Sequence, residues 1–215
     1  MASETDICNL ALAHLGDTAA VASISPPDGS VQAQLCARFY AIARDSLLES
    51  HTWGFATRRA SPALLGDALP EWAYAYAQPA GVLSVIAILP PGSSDDYSIT
   101  PGVPYATGGT YVPQAFSCEV DANGNNVVYT DQADALMRFT AIVTDTSKFT
   151  PLFTLALSWH LAGMLAGPML KGDAGAAEAK RCAQVAQAYL ASATESDAGQ
   201  RRVSATHNVG WMTGR

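Results

Sequence analysis

The sequence predicts an α+β fold, mainly α: a helical bundle of two helix pairs, an inserted antiparallel β-sheet region between them, and a C-terminal tail. Three observations point there. Residues 151–170 (PLFTLALSWHLAGMLAGPML) run for twenty positions without a charged side chain, as a helix buried on most sides does. Apolar residues recur at helical spacing towards both ends of the chain. The middle instead alternates with period two between turn-forming clusters. The bundle is expected over 1–51 and 145–197, the β-rich insertion over 52–144, and the tail over 198–215.

Ser3, followed by Glu4 and Asp6, opens a first helix, since acids favour the positive end of the helix dipole. Its apolar positions are Ile7, Leu10, Ala11 and Leu15, and Gly16 ends it. Ser25-Pro26-Pro27-Asp28-Gly29 is a firm break. Ser30 caps a second helix to about His51, with Leu35, Phe39, Ile42 and Leu47 expected inward and Arg38, Arg44, Asp45 and Glu49 outward. Trp72 to Ala77 alternates large and small, as a half-buried strand does, and Val82 to Leu89 is a short apolar strand. Phe116–Val120 and Val127–Thr130 flank Asp121-Ala122-Asn123-Gly124-Asn125, a hairpin signal because Asn-Gly tolerates positive φ. A further strand is expected from Ala135 to Thr144.

The stretch 90–114 is rich in proline and glycine. Loops of that length are usually functional or disordered. Tyr97, Tyr105 and Tyr111 make it more aromatic than a plain linker, which favours a binding loop.

The uncharged run is long enough to cross a bilayer. Its Gly163-x-x-x-Gly167 spacing would suit packing in lipid. Thr154, Ser158 and His160 lie within it, however, and Lys148 and Lys171 flank it without asymmetry. Thr150-Pro151 is an N-cap with its preferred first residue, and Gly167-Pro168 is a stop signal. These features favour a core helix over about 151–166, with no membrane partner. A last, alanine-rich helix over about 174–196 turns Val185, Ala186, Tyr189 and Leu190 inward. So few large side chains imply close packing against the helix before it.

Charge is unevenly placed. Residues 61–147 carry nine acids (Asp67, Glu71, Asp95, Asp96, Glu119, Asp121, Asp131, Asp134, Asp145) against one base, Arg138. Residues 201–215 carry arginines and no acid. The middle should repel polyanions, and the end of the chain should attract them or pair with acidic protein. A solvated acidic face and a frayed tail would leave the same charge pattern. Yet the tail also contains Val203, Val209, Trp211 and Met212, as a segment that orders on a partner does. Cys8, Cys36, Cys118 and Cys182 have no metal spacing and read as small buried thiols in a reducing setting. Met1–Asp6 lacks the features of a signal peptide.

Nucleophile-elbow, zinc-protease, phosphate-loop and dinucleotide motifs are all missing. His14, His51, His160 and His207 are scattered. His160 reads as a satisfied core residue, and His14 and His51 as cations favoured at helix C-termini. Asp95-Asp96 is the only adjacent acidic pair, placed in a Pro/Ser loop. No cofactor, metal or catalytic residue is expected, although paired carboxylates for glycoside hydrolysis stay open.

Three ordered stretches carry a family resemblance. They are LALAHLGD followed by CARFYAIARDSLLESHTWGFATRRA, then PEWAYAYAQPAGVLSVIAI, then DTSKFTPLFTLALSWHLAGMLAGPML. Trp53 with Phe55, Tyr74 to Pro79, and Asp145, Phe149, Pro151 and Phe153 are the positions that fit the pattern. Together they resemble the tail tubular protein A family, the head-to-tail adaptors of tailed phages, over roughly residues 10–195. Loop 90–114 matches no part of that pattern.

The resemblance implies a virion structural protein in the neck, assembled in the host cytoplasm, with self-association into a ring, typically of twelve copies. Such a ring lies beneath the portal protein, extends the DNA channel and supports the tail or nozzle protein. On that reading Arg201, Arg202, Val203, Trp211 and Met212 would meet the portal. Asp67, Glu71, Asp131 and Asp134 would face genomic DNA that passes without specific binding, and Tyr97, Tyr105 and Tyr111 would face the tail. The competing expectations are a virion-associated peptidoglycan hydrolase of the head-completion type and a small protein anchored in a membrane through 151–170.

Overall fold

The computed structural model describes residues 2–18, 20–66, 68–91 and 114–200. The fold is α+β and mainly α, with 46% helix against 21% antiparallel strand. Two compact units divide the chain: Met1–Ala56 with Ile142–Arg201, which holds the helices, and Thr57–Ala141, which holds the strands. The helical unit reaches beyond the expected residue 51 because Trp53 and Ala56 are buried in it.

In the helical unit, α1 (Glu4–His14) starts on a capping box. Ser3 Oγ accepts from the Asp6 N–H at 3.1 Å, and the Asp6 carboxylate accepts from the Ser3 N–H at 2.8 Å. Two of the four orphan donors at this helix start are thereby satisfied. Ile7, Cys8, Ala11 and Leu12 form its buried stripe. In the following loop the Asn9 amide accepts from the Val21 N–H at 2.8 Å and donates to the Val21 carbonyl at 3.0 Å. Asp28 accepts from the Ser30 hydroxyl and from the N–H groups of Ser30 and Ala22. These bonds, the Ser30 side chain foremost, hold its carboxyl down to about 2.

Helix α2 (Val31–Glu49) keeps Leu47 inward as expected, but leaves Leu35 and Phe39 half-buried and brings Arg44, expected outward, inside. Ala33, Cys36, Tyr40, Ala43, Leu47 and Leu48 are buried together with Arg44, while Ile42 is 57% exposed. The 3-4-3-4 spacing of Ala33, Cys36, Tyr40, Ala43 and Leu47 makes one stripe, and its small members let neighbouring helices approach. Arg44 is accommodated by its fork on Asp45 (2.8 and 3.2 Å) and by Glu4 at 4.0 Å.

A 3-10 turn (Thr146–Lys148) leads into α3 (Pro151–Leu170), capped by Thr150 Oγ1 accepting from the Phe153 N–H. Helix α3 is long and apolar enough to span a bilayer. It packs against α1, α2 and α4 (Gly172–Ala198). Phe153, Leu157, Leu161 and Leu165 are fully buried at i+4 steps, each contributing about 1.5–3 kcal/mol of burial. The expected stop at Gly167-Pro168 fails, because the helix continues to Leu170 with Pro168 inside it. So near the end a proline removes one ladder donor, and Lys171 N–H still bonds Gly167 O at 3.0 Å. The chain turns instead at Lys171 and Gly172, whose φ values are 57° and 56°. Helix α4 accordingly begins before the expected residue 174.

The α3–α4 hairpin is built on small residues. Gly175, Cys182, Ala186, Ala193 and Asp197 form the buried line of α4, with Val185, Tyr189 and Leu190 half-buried beside it. A Cβ on Gly175 would lie 3.0 Å from Ala166 O, and one on Gly163 3.6 Å from Ala179 O. Of these two positions, Gly175 leaves the less room for a side chain.

In the strand unit, one sheet has the order β1-β7-β4 and the other β2-β3-β6-β5. The strands are β1 (Thr57–Ala60), β2 (Leu64–Leu65), β3 (Tyr74–Ala77), β4 (Val82–Leu89), β5 (Phe116–Val120), β6 (Asn126–Thr130) and β7 (Leu136–Ala141). All pairings are antiparallel. The expected strand 135–144 stops at Ala141, and the expected strand 72–77 starts at Tyr74. Trp72 belongs to a turn in which its N–H bonds Leu69 O. Period two then sorts the side chains. Tyr76 and Val128 join Ile88, Met137 and Phe139 in one core, while Ala75, Val127 and Tyr129 pack under Leu69 and Trp72 on the opposite face. The β5–β6 hairpin closes as expected: Asp121 accepts from the N–H groups of Asn123 and Asn125, and Gly124 has φ 84°.

Candidate functional site

Four of the aromatic residues singled out in the sequence, Trp53, Phe55, Phe149 and Phe153, come together in the helical unit, whereas Tyr74 to Ala77 form β3 in the strand unit. Trp53 and Phe55 follow α2, Phe149 precedes α3, and Phe153 lies in its first turn. Ring centroids are 5.0 Å apart for Trp53–Phe153, 5.1 Å for Phe55–Phe153, 4.9 Å for Phe149–Phe153 and 5.8 Å for Phe55–Phe149. Mostly edge-on or tilted contacts of this kind suit the ring quadrupoles. The buried Trp53 indole donates to Leu47 O at 2.8 Å. Asp145 holds the approach to the cluster by accepting from the Ser147 N–H at 3.0 Å, and Ser147 and Lys148 keep its carboxyl below the usual range. Asp197, near the end of α4, closes the other side, with its carboxylate accepting from the Gly54 N–H and lying 3.5 Å from His51 Nε2. Asp197 escaped the sequence reading because only tertiary folding brings it to Gly54.

A second cluster stacks His14 on Trp159 with centroids 3.7 Å apart and planes 6° from parallel. Arg181 lies 5.2 Å over the same indole and is paired with Glu178. Ser158 donates to Leu155 O, which leaves its oxygen to accept from His14 Nε2, 3.1 Å away. Burial, and then the Arg181 charge, lower the His14 pKa. This corrects the expectation of a cation at the end of α1: desolvation and a neighbouring guanidinium outweigh the dipole. His160 is half-buried, 3.2 Å from Ser46 Oγ, and burial lowers it too.

Of the expected channel acids, Glu71 and Asp131 come to the same end of the four-stranded sheet. Asp131 accepts from the Ala73 N–H at 3.0 Å, two residues from Glu71. Asp134 follows in the same β6–β7 connection with φ 49°, and all three acids are exposed. The unit is less one-sided than 61–147 alone, because β1 brings Arg58 and Arg59 into it. Asp67, the loop tyrosines Tyr97, Tyr105 and Tyr111, and the tail residues Arg201, Arg202, Val203, Trp211 and Met212 lie outside the described residues.

A cleft of about 350 Å³ opens between the β3–β4 and β5–β6 turns, lined in part by Gln78, Val82, Asp121, Asn125 and Asn126. Asp121 is its one carboxylate among the described residues. The Asn125 side chain and the turn N–H groups hold it below its ordinary pKa, so it is poorly suited to donate a proton as a general acid. Among the described residues no group of three or more His, Cys, Asp or Glu could hold a metal. Cys8, Cys36 and Cys182 are buried, whereas Cys118, on the edge strand β5, is exposed, contrary to expectation. No protein-family model and no curated protein matches the chain.

Proposed function

We propose that this chain is a head-to-tail adaptor subunit of a tailed phage, forming a ring between portal protein and tail that extends the DNA channel. The observation that carries the reading is the convergence of Trp53, Phe55, Phe149 and Phe153, drawn from separate stretches of the resemblance, into one aromatic core. Aromatic rings from separate stretches that pack edge-on or tilted against one another hold an architecture in place. The exposed acids Glu71, Asp131 and Asp134 fit a wall that DNA must slide past, since phosphate affinity comes chiefly from cationic contacts. Arg201, Arg202, Val203, Trp211 and Met212 are the proposed portal-docking segment, and Tyr97, Tyr105 and Tyr111 the proposed tail-facing contacts.

Truncation after residue 198 tests the docking role. Co-sedimentation with a portal ring should be lost while the helical unit keeps its melting transition. Unchanged co-sedimentation would show that portal binding lies elsewhere. A peptidoglycan zymogram separates the enzymatic alternative: clearing that a single Asp or Glu substitution abolishes would replace the adaptor reading.

A further inference from the structure

The edges of the two sheets differ in a way that selects a partner. β4 is half-buried over its first six residues and buried at Ile88 and Leu89, and β2 is two residues long. Among the described residues, the more exposed edge strands of useful length are therefore β1 in one sheet and β5 in the other. β1 presents Arg58 and Arg59 and no acid. β5 presents Cys118, Glu119 and Val120, with Asp121 next in the chain and no base. Val120 is 64% exposed, an apolar residue on an open edge.

An open edge is a row of backbone donors and acceptors that templates another strand. Charge decides which strand. Pairing β1 with β1 of a second copy would bring the arginines of both copies together. Pairing β5 with β5 would gather Glu119 and Asp121 twice. Like charges across a strand pair are unfavourable, whereas opposite charges contribute. Only β1 against β5 sets arginine beside carboxylate.

We infer that copies of this chain associate edge to edge, with β1 of one copy adding to β5 of the next. The three-stranded sheet of each copy then continues into the four-stranded sheet of its neighbour. Such a contact uses different surfaces on the two partners, so it is heterologous, and its repetition generates a ring or a filament rather than a closed dimer. The inference rests on the ring reading above and names the interface that builds it.

Cys118 supplies the probe, because the other three cysteines are buried. Adjacent strand residues project from opposite faces, so Arg58→Cys and Arg59→Cys are compared in the full chain under copper–phenanthroline oxidation. Partial desolvation raises the Cys118 thiol, so the reaction is run at mildly alkaline pH. One variant should give a disulfide ladder that extends beyond the dimer and vanishes with Cys118→Ser. No ladder from either variant, or one that stops at the dimer, would overturn the inference. Arg58→Glu with Arg59→Glu should abolish self-association in sedimentation velocity, and adding Glu119→Lys should restore it. If removing these charges increases association instead, they guard the edges against pairing and the inference is wrong. Rings seen by electron microscopy without a ladder would place the interface elsewhere and leave the adaptor reading standing. A ladder that builds open filaments and never rings would keep the interface and remove that reading. Neither rings nor ladder would remove both.

Discussion

The carboxylate of Asp197 accepts from the backbone N–H of Gly54 at 3.0 and 3.2 Å, across 143 positions of sequence. Asp197 lies one residue from the end of the last helix, and Gly54 lies between Trp53 and Phe55 of the aromatic core. The bond therefore ties the end of α4 to the segment by which the chain leaves the helical unit. Replacing Asp197 with Ala strands a partly buried donor, and the expected loss is about 1–3 kcal/mol. Asp197→Asn keeps an acceptor oxygen and should lose less. Chemical denaturation of both variants checks the order, and equal losses would show that the bond is not the cause.

The α3–α4 crossing makes an opposed pair of predictions. Gly163→Ala places a Cβ at ordinary contact distance, so the helix-propensity gain of up to about 1 kcal/mol should make it neutral or stabilising. Gly175→Ala places one 3.0 Å from a backbone oxygen. Overpacking of that kind costs about 1–3 kcal/mol and should outweigh the same gain. Melting temperatures on opposite sides of wild type are expected, and the reverse order would mean that the crossing is wider than described.

The orientation of α2 is tested by two residues. Leu48 is fully buried and Ile42 is 57% exposed. Leu48→Ala should cost about 2–5 kcal/mol, and Ile42→Ala should stay within about 0.5 kcal/mol of wild type. A large effect at Ile42 in the isolated protein would restore the face that periodicity alone suggested.

The two lowered histidines set a pH dependence. His14 and His160 are held below the ordinary imidazole value of 6.5. In the unfolded chain they protonate near that value, while the folded chain keeps them neutral to lower pH. Their contribution is thus complete above about 6.5 and is lost as pH falls from there through the folded values. Melting temperature should drop between pH of about 7 and 5, above the range where carboxylates titrate. His14→Gln with His160→Gln should flatten that slope, and an unchanged slope would assign it to other groups.

Local chemistry made much of the helical unit legible. Ser3 with Asp6, Ser30, and Thr150-Pro151 are cap signals that act within four residues of themselves, and α1, α2 and α3 start where they stand. The Asp121–Asn125 turn was legible for the same reason. β1 was not, because Thr57-Arg58-Arg59-Ala60 has no apolar alternation and is a strand through its pairing with the distant β7. The α2 face was misread because Ala33, Cys36 and Ala43 fit the helix contacts better than the larger Ile42. Pro168 looked like a terminator, yet the turn comes from positive φ at Lys171 and Gly172. Glu71 and Asp131 could be named from charge, but their common location depends on the β3–β6 register that sets Tyr74 opposite Thr130. The Gly54–Asp197 tie left no local signal at all.

Electron microscopy of this chain, alone and mixed with purified portal rings, distinguishes a ring-forming adaptor from a protein that stays monomeric. Closed rings of this chain are expected, coaxial with the portal and enclosing a channel wide enough for duplex DNA. Portal rings that remain bare, with the chain dispersed as single copies in both samples, would contradict the adaptor reading.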